Sequence, residues 1–362
     1  ESVEYIGAWA FCGTPFEESL GNDDFIIIND KFLYKYNGNS DNVTIPEGIT
    51  SICNWVFSEN NLINIEIPES VEYIGRGAFN KCENLKSIDI PENLKVLECA
   101  VFGNCKSLSE VSLPDGLEII ENKVFHNCTS IENISIPNKI TEIPESAFEE
   151  CSSLKEVNFP DGIKTIGDKA FRNCTSLENI NFPDGLETIG NDAFYKTALK
   201  EVILPESVSS LGNHTFRECT SVKKIRLSSD LKTIPTECFD SCTSLTEIEI
   251  PEGVETIDMN AFQNNSSLRF VRLPDSLKNI ELNAFADSNI TYVFIPDSVE
   301  YFDRQAFLND TDKPPVTLMY TENCLAKEDL KEAKAWRVWD DYELKTVNSR
   351  EEAEKIMPEF NK

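Results

Sequence analysis

Histidine is almost missing from this chain, with His126 and His214 the two copies in 362 residues. A nucleophile–base pair needs both groups within reach and a third to orient them, and metal ligands come in close pairs. Two isolated histidines supply neither. Basic residues are also scarce: 33 Lys and Arg stand against 63 Asp and Glu, a formal charge of −30. Such a chain is repelled by phosphates and by anionic headgroups, which excludes nucleic acid as a partner, and its copies repel one another, so a monomer is expected. No apolar run approaches the roughly 18 residues of a membrane span, and the first residues lack the basic-then-apolar order of a signal peptide. Glycine-rich phosphate loops, Gly-x-Ser-x-Gly and helical metal motifs are absent too. From these absences we expect no enzyme, no cofactor, no bound metal and no membrane insertion.

What the chain does have is a period. Phenylalanine recurs every 22 or 23 residues, at Phe57, Phe79, Phe102, Phe125, Phe148, Phe171, Phe194, Phe216, Phe239, Phe262, Phe285 and Phe307. Eleven residues before each stands a proline, from Pro46 to Pro296, with Ser228 the one substitute. Each unit reads L-x-x-I-x-I-P-[DE]-[GS]-[VLI]-x-x-I-x-x-x-A-F-x-x-C-x-S, as from Leu154 to Cys174. So short a unit cannot bury its own apolar face, so neighbours must stack into a solenoid with one continuous core. In L-x-x-I-x-I-P the alternating apolar positions read as a strand that the proline ends, giving one short strand per unit to a parallel sheet. The Asp-Gly or Glu-Gly pair that follows suits a reversal. A second apolar pair, such as Leu186 and Ile189, and the Ala-Phe fill the space between the two sides of the coil.

Cysteine is not scarce, with 12 copies, and seven of them (Cys82, Cys105, Cys128, Cys151, Cys174, Cys219 and Cys242) sit three residues after the repeated Phe. This is one rung of a ladder rather than a zinc pattern. Neighbouring rungs would lie about 4.8 Å apart, within reach of a disulfide, but their Cβ atoms point the same way. Buried free thiols are the expectation.

The regular array covers 46–308. Before it, 1–45 holds incomplete repeats: the chain opens in mid-unit, as a trimmed or processed chain does, and Phe25 to Gly38 reads as a hairpin about Asn29-Asp30. After it, 309–362 reads as an α/β cap: a last strand over Val316 to Tyr320, a helix over Glu328 to Trp336, a strand over Trp336 to Tyr342 and a final helix opened by a capping box at Ser349. Trp336, Val338, Met357 and Phe360 would supply its apolar side.

The unit with I-P-[DE]-[GS]-[VLI], I-G and A-F-x-x-C-x-S resembles the BspA-like leucine-rich repeat family, also described from treponemal proteins, and Tyr34-Lys-Tyr-Asn-Gly followed by Val43-Thr-Ile-Pro resembles the start of many such arrays. The resemblance implies a leucine-rich repeat solenoid, a curved right-handed coil. It also implies a cell-surface or secreted protein that binds host matrix protein, mucosal components or other microbes, and it carries no catalytic residues.

The outward strand positions locate a candidate surface. They are small or acidic in most units, as at Asn64/Glu66, Ser87/Asp89, Glu156/Asn158 and Asn179/Asn181. They change to Glu201/Ile203, Lys224/Arg226, Glu247/Glu249, Phe270/Arg272 and Tyr292/Phe294. Arginine with aromatic side chains is the composition of interaction hot spots, and Lys223 and Arg269 add to the local positive charge. Lys224, Arg226, Phe270, Arg272, Tyr292 and Phe294 are therefore the candidate partner-binding residues. The competing reading is that the tail folds back over these strands, or that the aromatics pack on one another. The function expected is adhesion or recognition of a protein or glycan. The alternative is a spacer or targeting region of a larger surface protein or enzyme.

Overall fold

The computed structural model describes residues 6–7, 10–309, 315–335 and 342–357. The chain is a parallel-strand β-solenoid of about 13 turns with few helices. It divides into two compact units, Glu1–Leu177 and Glu178–Lys362.

In the first unit the hairpin forms as the sequence implies. Strands Phe25–Ile28 and Phe32–Tyr36 pair antiparallel about Asn29 and Asp30, both left-handed at φ 53 and 54, the conformation a two-residue turn requires. The hairpin's second strand then joins the coil, pairing parallel with Ser51–Ile52, which in turn pairs with Tyr73–Ile74. Each later turn brings a three-residue strand, as in Asn42–Thr44 on Asn64–Glu66, Ser87–Asp89 on Glu110–Ser112, and Asn133–Ser135 on Glu156–Asn158. The central residue points inward and its neighbours out.

Most turns contribute two strands, not the one that alternation indicates. The second apolar pair also ends in a strand, two residues long, as in Glu142–Ile143 on Thr165–Ile166 or Thr256–Ile257 on Asn279–Ile280. Two residues are too few to display a period of two, so this second sheet has no pattern to read. Conversely, Asn179 to Asn181 lie in no strand; asparagine, which is depleted in strands, flanks Ile180 on both sides.

Between the sheets, Pro-[DE]-[GS]-[VL] closes a turn in which the proline carbonyl accepts from the amide three residues on, at 3.0 Å for both Val71 and Leu117. The segment around each Phe is held differently. In eleven turns the residue two before Phe is left-handed, from Trp55 to Asn283, and so is the residue two after, from Glu59 to Asp287. This lets alternate amides donate to the next turn: Trp55 to Arg76, Phe57 to Ala78 and Glu59 to Asn80, at 2.8 to 3.0 Å.

The phenylalanines are the core. In the first unit the rings of Phe57, Phe79, Phe102, Phe125, Phe148 and Phe171 stack with centroids 5.3 to 5.7 Å apart. In the second, Phe194 to Phe307 do so at 4.8 to 5.4 Å. Beside them all seven rung cysteines are buried free thiols. Each donates to the carbonyl of the preceding turn's Phe, as Cys128 Sγ does to Phe102 at 3.0 Å and Cys242 Sγ to Phe216 at 3.3 Å.

At the C-terminal end, strand Tyr292–Phe294 pairs with Val316–Tyr320, and that with Tyr342–Thr346, all parallel. A helix spans Lys327–Ala335. The strand expected over Trp336 to Tyr342 falls, except for Tyr342, outside the described residues; the observed strand begins where that one was to end. The last helix, Arg350–Ile356, is capped by Ser349, whose hydroxyl accepts from the Glu352 amide, while Glu352 reaches back to the Asn348 amide at 2.8 Å. Of the apolar residues assigned to this end, Met357 is buried against Phe294 and Met319; Trp336, Val338 and Phe360 lie outside the described residues.

Candidate functional site

The candidate residues fall on adjacent turns of the second unit. Lys224–Arg226 pairs with Glu201–Ile203, so that Lys224 stands beside Glu201 and Arg226 beside Ile203. Phe270–Arg272 pairs with Glu247–Glu249, placing Phe270 beside Glu247 and Arg272 beside Glu249. Val202, Ile248, Val271 and Val293 turn into the core, all 3 % exposed or less, which fixes their neighbours outward.

The last helix changes what outward means for the final turns. It folds back over the sheet and makes a small second core of Phe294, Met319, Val347, Ala353 and Met357, with Phe270, Tyr292 and Ile356 packed against it. Phe294 is 7 % exposed; it is an anchor for the helix and not a contact surface. Tyr292 and Phe270 remain half-buried. The tail thus covers the aromatic end of the row and leaves the cationic end open.

What remains open is a concavity of about 820 Å³ lined by Lys224, Arg226, Glu249, Phe270, Arg272 and Arg350 among others. Arg350 is a residue that sequence reasoning missed. Its guanidinium donates to the Leu273 carbonyl at 2.8 Å, pairs with Asp275 and lies 5.0 Å over the Phe294 ring. Arg272 is shared between Glu249 and Glu354 of the helix, each at 3.7 Å. These two arginines are committed to the walls.

Lys224 and Arg226 are not. Several exposed lysines elsewhere pair with a glutamate of the preceding turn, as in Lys81–Glu59 at 2.6 Å, Lys106–Glu83 and Lys155–Glu132 at 2.8 Å, and Lys278–Glu255 at 2.6 Å. Among the described residues Lys223, Lys224 and Arg226 make no ion pair. In a chain of −30, these cations stand together on one bank of the groove, facing Glu247, Glu249 and Glu252 in the same lining.

Burial pushes the Cys53 and Cys219 thiols up to about 11 and those of Cys82 and Cys151 to about 12, whereas a reactive cysteine needs its thiolate near neutrality. His126 lies 3.6 Å from Glu149, and His214 lies 3.9 Å from Asp192 and 3.8 Å from Glu237. Among the described residues no three His, Cys, Asp or Glu side chains gather as a metal site would require, and no helix is long and apolar enough to cross a membrane.

The same architecture occurs in solved structures. A leucine rich cell surface protein from Faecalibacterium prausnitzii is 21% identical over 91% of this chain and 94% of its own, with a TM-score of 0.55. A leucine-rich repeat protein from Bacteroides ovatus is 24% identical over 85% and 92%, at 0.50, and one from Eubacterium ventriosum is 22% identical over 77% and 79%, at 0.52. At such identities the likeness is one of fold. No curated protein matches the sequence. The repeats themselves match over residues 1–108, 72–197 and 187–312. The chain belongs to the BspA type leucine rich repeat family.

Proposed function

We propose that this chain is a non-catalytic recognition module of the bacterial cell surface that binds an acidic stretch of a protein or glycan in the groove of its second unit. One observation carries this reading: Lys224 and Arg226 make no ion pair on the open bank of a concavity, whereas Lys81, Lys106, Lys155 and Lys278 each pair with a glutamate of the preceding turn. Phe270 offers apolar area beside them, and Arg272 and Arg350 shape the far wall. Unpaired charge on a preformed surface steers an oppositely charged partner and selects against others. The family, and a relative described as a cell surface protein, support the location. The test is binding of the purified chain to immobilised host matrix proteins, mucins and glycans, with Lys224→Ala plus Arg226→Ala as the control. A saturable partner lost in the control is expected. No partner, or one the control still binds, would count against the groove and favour a spacer.

A further inference from the structure

A second concavity lies in the first unit. The position two before each Phe is left-handed in eleven turns, and its occupants are otherwise Gly77, Ala100, Ser146 and polar residues such as Lys123, Asp192 and Asn260. Trp55 is the exception, at φ 63. A bulky aromatic in this conformation is strained, and such strain persists where the surroundings enforce it, commonly at ligand sites. Trp55 is also 37 % exposed, while the Phe two residues on is fully buried. Part of the indole therefore stays open to solvent.

The surroundings are shaped to the ring. A Cβ at Gly77 would come within 2.2 Å of Trp55 Cζ3, so the indole lies directly on the glycine of the following turn. Tyr36 is seated the same way, its hydroxyl on Gly38, where a Cβ would come within 2.4 Å. Its ring is wedged 5.2 Å from Phe25 and 5.1 Å from Phe57. Tyr34 is fixed 5.5 Å from Phe11. These aromatics border a cleft of about 250 Å³, to which Glu17 and Asn54 also contribute. Glu17 accepts from the Gly13 amide through Oε2 at 2.9 Å, which leaves Oε1 as an acceptor.

We infer that this cleft binds a single neutral sugar ring, its apolar C–H face laid on the Trp55 indole and its hydroxyl edge hydrogen-bonded by Glu17. Three features select that class. The volume falls below the roughly 300 Å³ at which pockets for drug-sized ligands begin. Glu17 and the acidic chain repel a phosphate or sulfate. Lys35 in the same lining opposes the ammonium ion that an aromatic cage would otherwise attract.

The experiment is saturation-transfer NMR on the whole chain with glucose, galactose, N-acetylglucosamine, N-acetylgalactosamine and fucose, and with tetramethylammonium as the cationic alternative. Trp55→Asn is the main variant, since Asn260 and Asn283 hold the same backbone conformation; Trp55→Lys, as at Lys123 and Lys169, replaces it if that variant does not fold. At least one neutral sugar should receive saturation and shift the Trp55 indole resonance. That signal should vanish in the Trp55 variant, whose circular dichroism stays unchanged, and persist when Lys224 and Arg226 are replaced. No transfer to any of the sugars, transfer that survives loss of Trp55, or binding of tetramethylammonium alone would overturn the inference. Since the groove variant is scored in the same series, failure here and failure of the groove are read separately.

Discussion

The side-chain amide of Asn265 donates to the Phe239 carbonyl at 3.0 Å, the bond that a cysteine thiol makes in seven other turns. A second bond, to Phe262 at 2.8 Å, uses the other amide hydrogen, while Oδ1 stays buried without a hydrogen bond among the described residues. Asn265→Cys keeps the donor to Phe239 and removes the stranded oxygen. Urea unfolding should show it neutral or stabilised by up to about 1 kcal/mol, whereas Asn265→Ala should lose about 2–3 kcal/mol by baring two carbonyls. Equal losses for both variants would show that the rung needs volume and not a donor.

The buried thiols predict an alkaline weakness. Unfolded, they ionise near the ordinary value of 9.0; folded, burial holds Cys53 and Cys219 up to about 11 and Cys82 and Cys151 to about 12. Below the unfolded value both states keep the proton, so these groups leave stability level. Between the two values only the unfolded state gives it up, so stability falls as pH rises, by about 1.4 kcal/mol per pH unit for each thiol. Urea midpoints should be flat up to 9.0 and then drop toward 11, and Cys82→Ala should make that drop shallower. A drop of unchanged slope in Cys82→Ala would rule the thiol out as its source.

Arg350 ties the last helix to the sheet through the Leu273 carbonyl and Asp275. Arg350→Ala should cost about 1–3 kcal/mol, the range of a hydrogen bond made by a charged group. The loss should appear locally: faster amide exchange over Arg350–Ile356 and a less protected Phe294, with the Phe ladder unaffected. Uniformly faster exchange throughout the second unit would show that the helix is integral to the coil rather than docked on it.

The turns were legible because two markers, Phe and Pro, hold one offset, and because the stacked rings leave no room for another residue. The second sheet was not, since two-residue strands carry no period. Nor were the left-handed positions beside Phe: Trp55, Lys123, Ser146 and Asp192 occupy one site, so no residue type marks it. At the groove, alternation about Val271 and Val293 placed Phe270, Arg272, Tyr292 and Phe294 on the outer face. That Phe294 is covered, and that Arg350 forms a wall, depends on a contact 75 residues apart in sequence, which no local pattern encodes.

The most direct test of the account is equilibrium binding of a partner captured by the wild-type chain, repeated with Lys224→Glu plus Arg226→Glu and at low and high salt. The account predicts that charge reversal abolishes binding without changing the fold, and that wild-type affinity falls as salt rises, because the charges that contribute are exposed and screened over about 8 Å at physiological ionic strength. Binding that ignores both the reversal and the salt would contradict it.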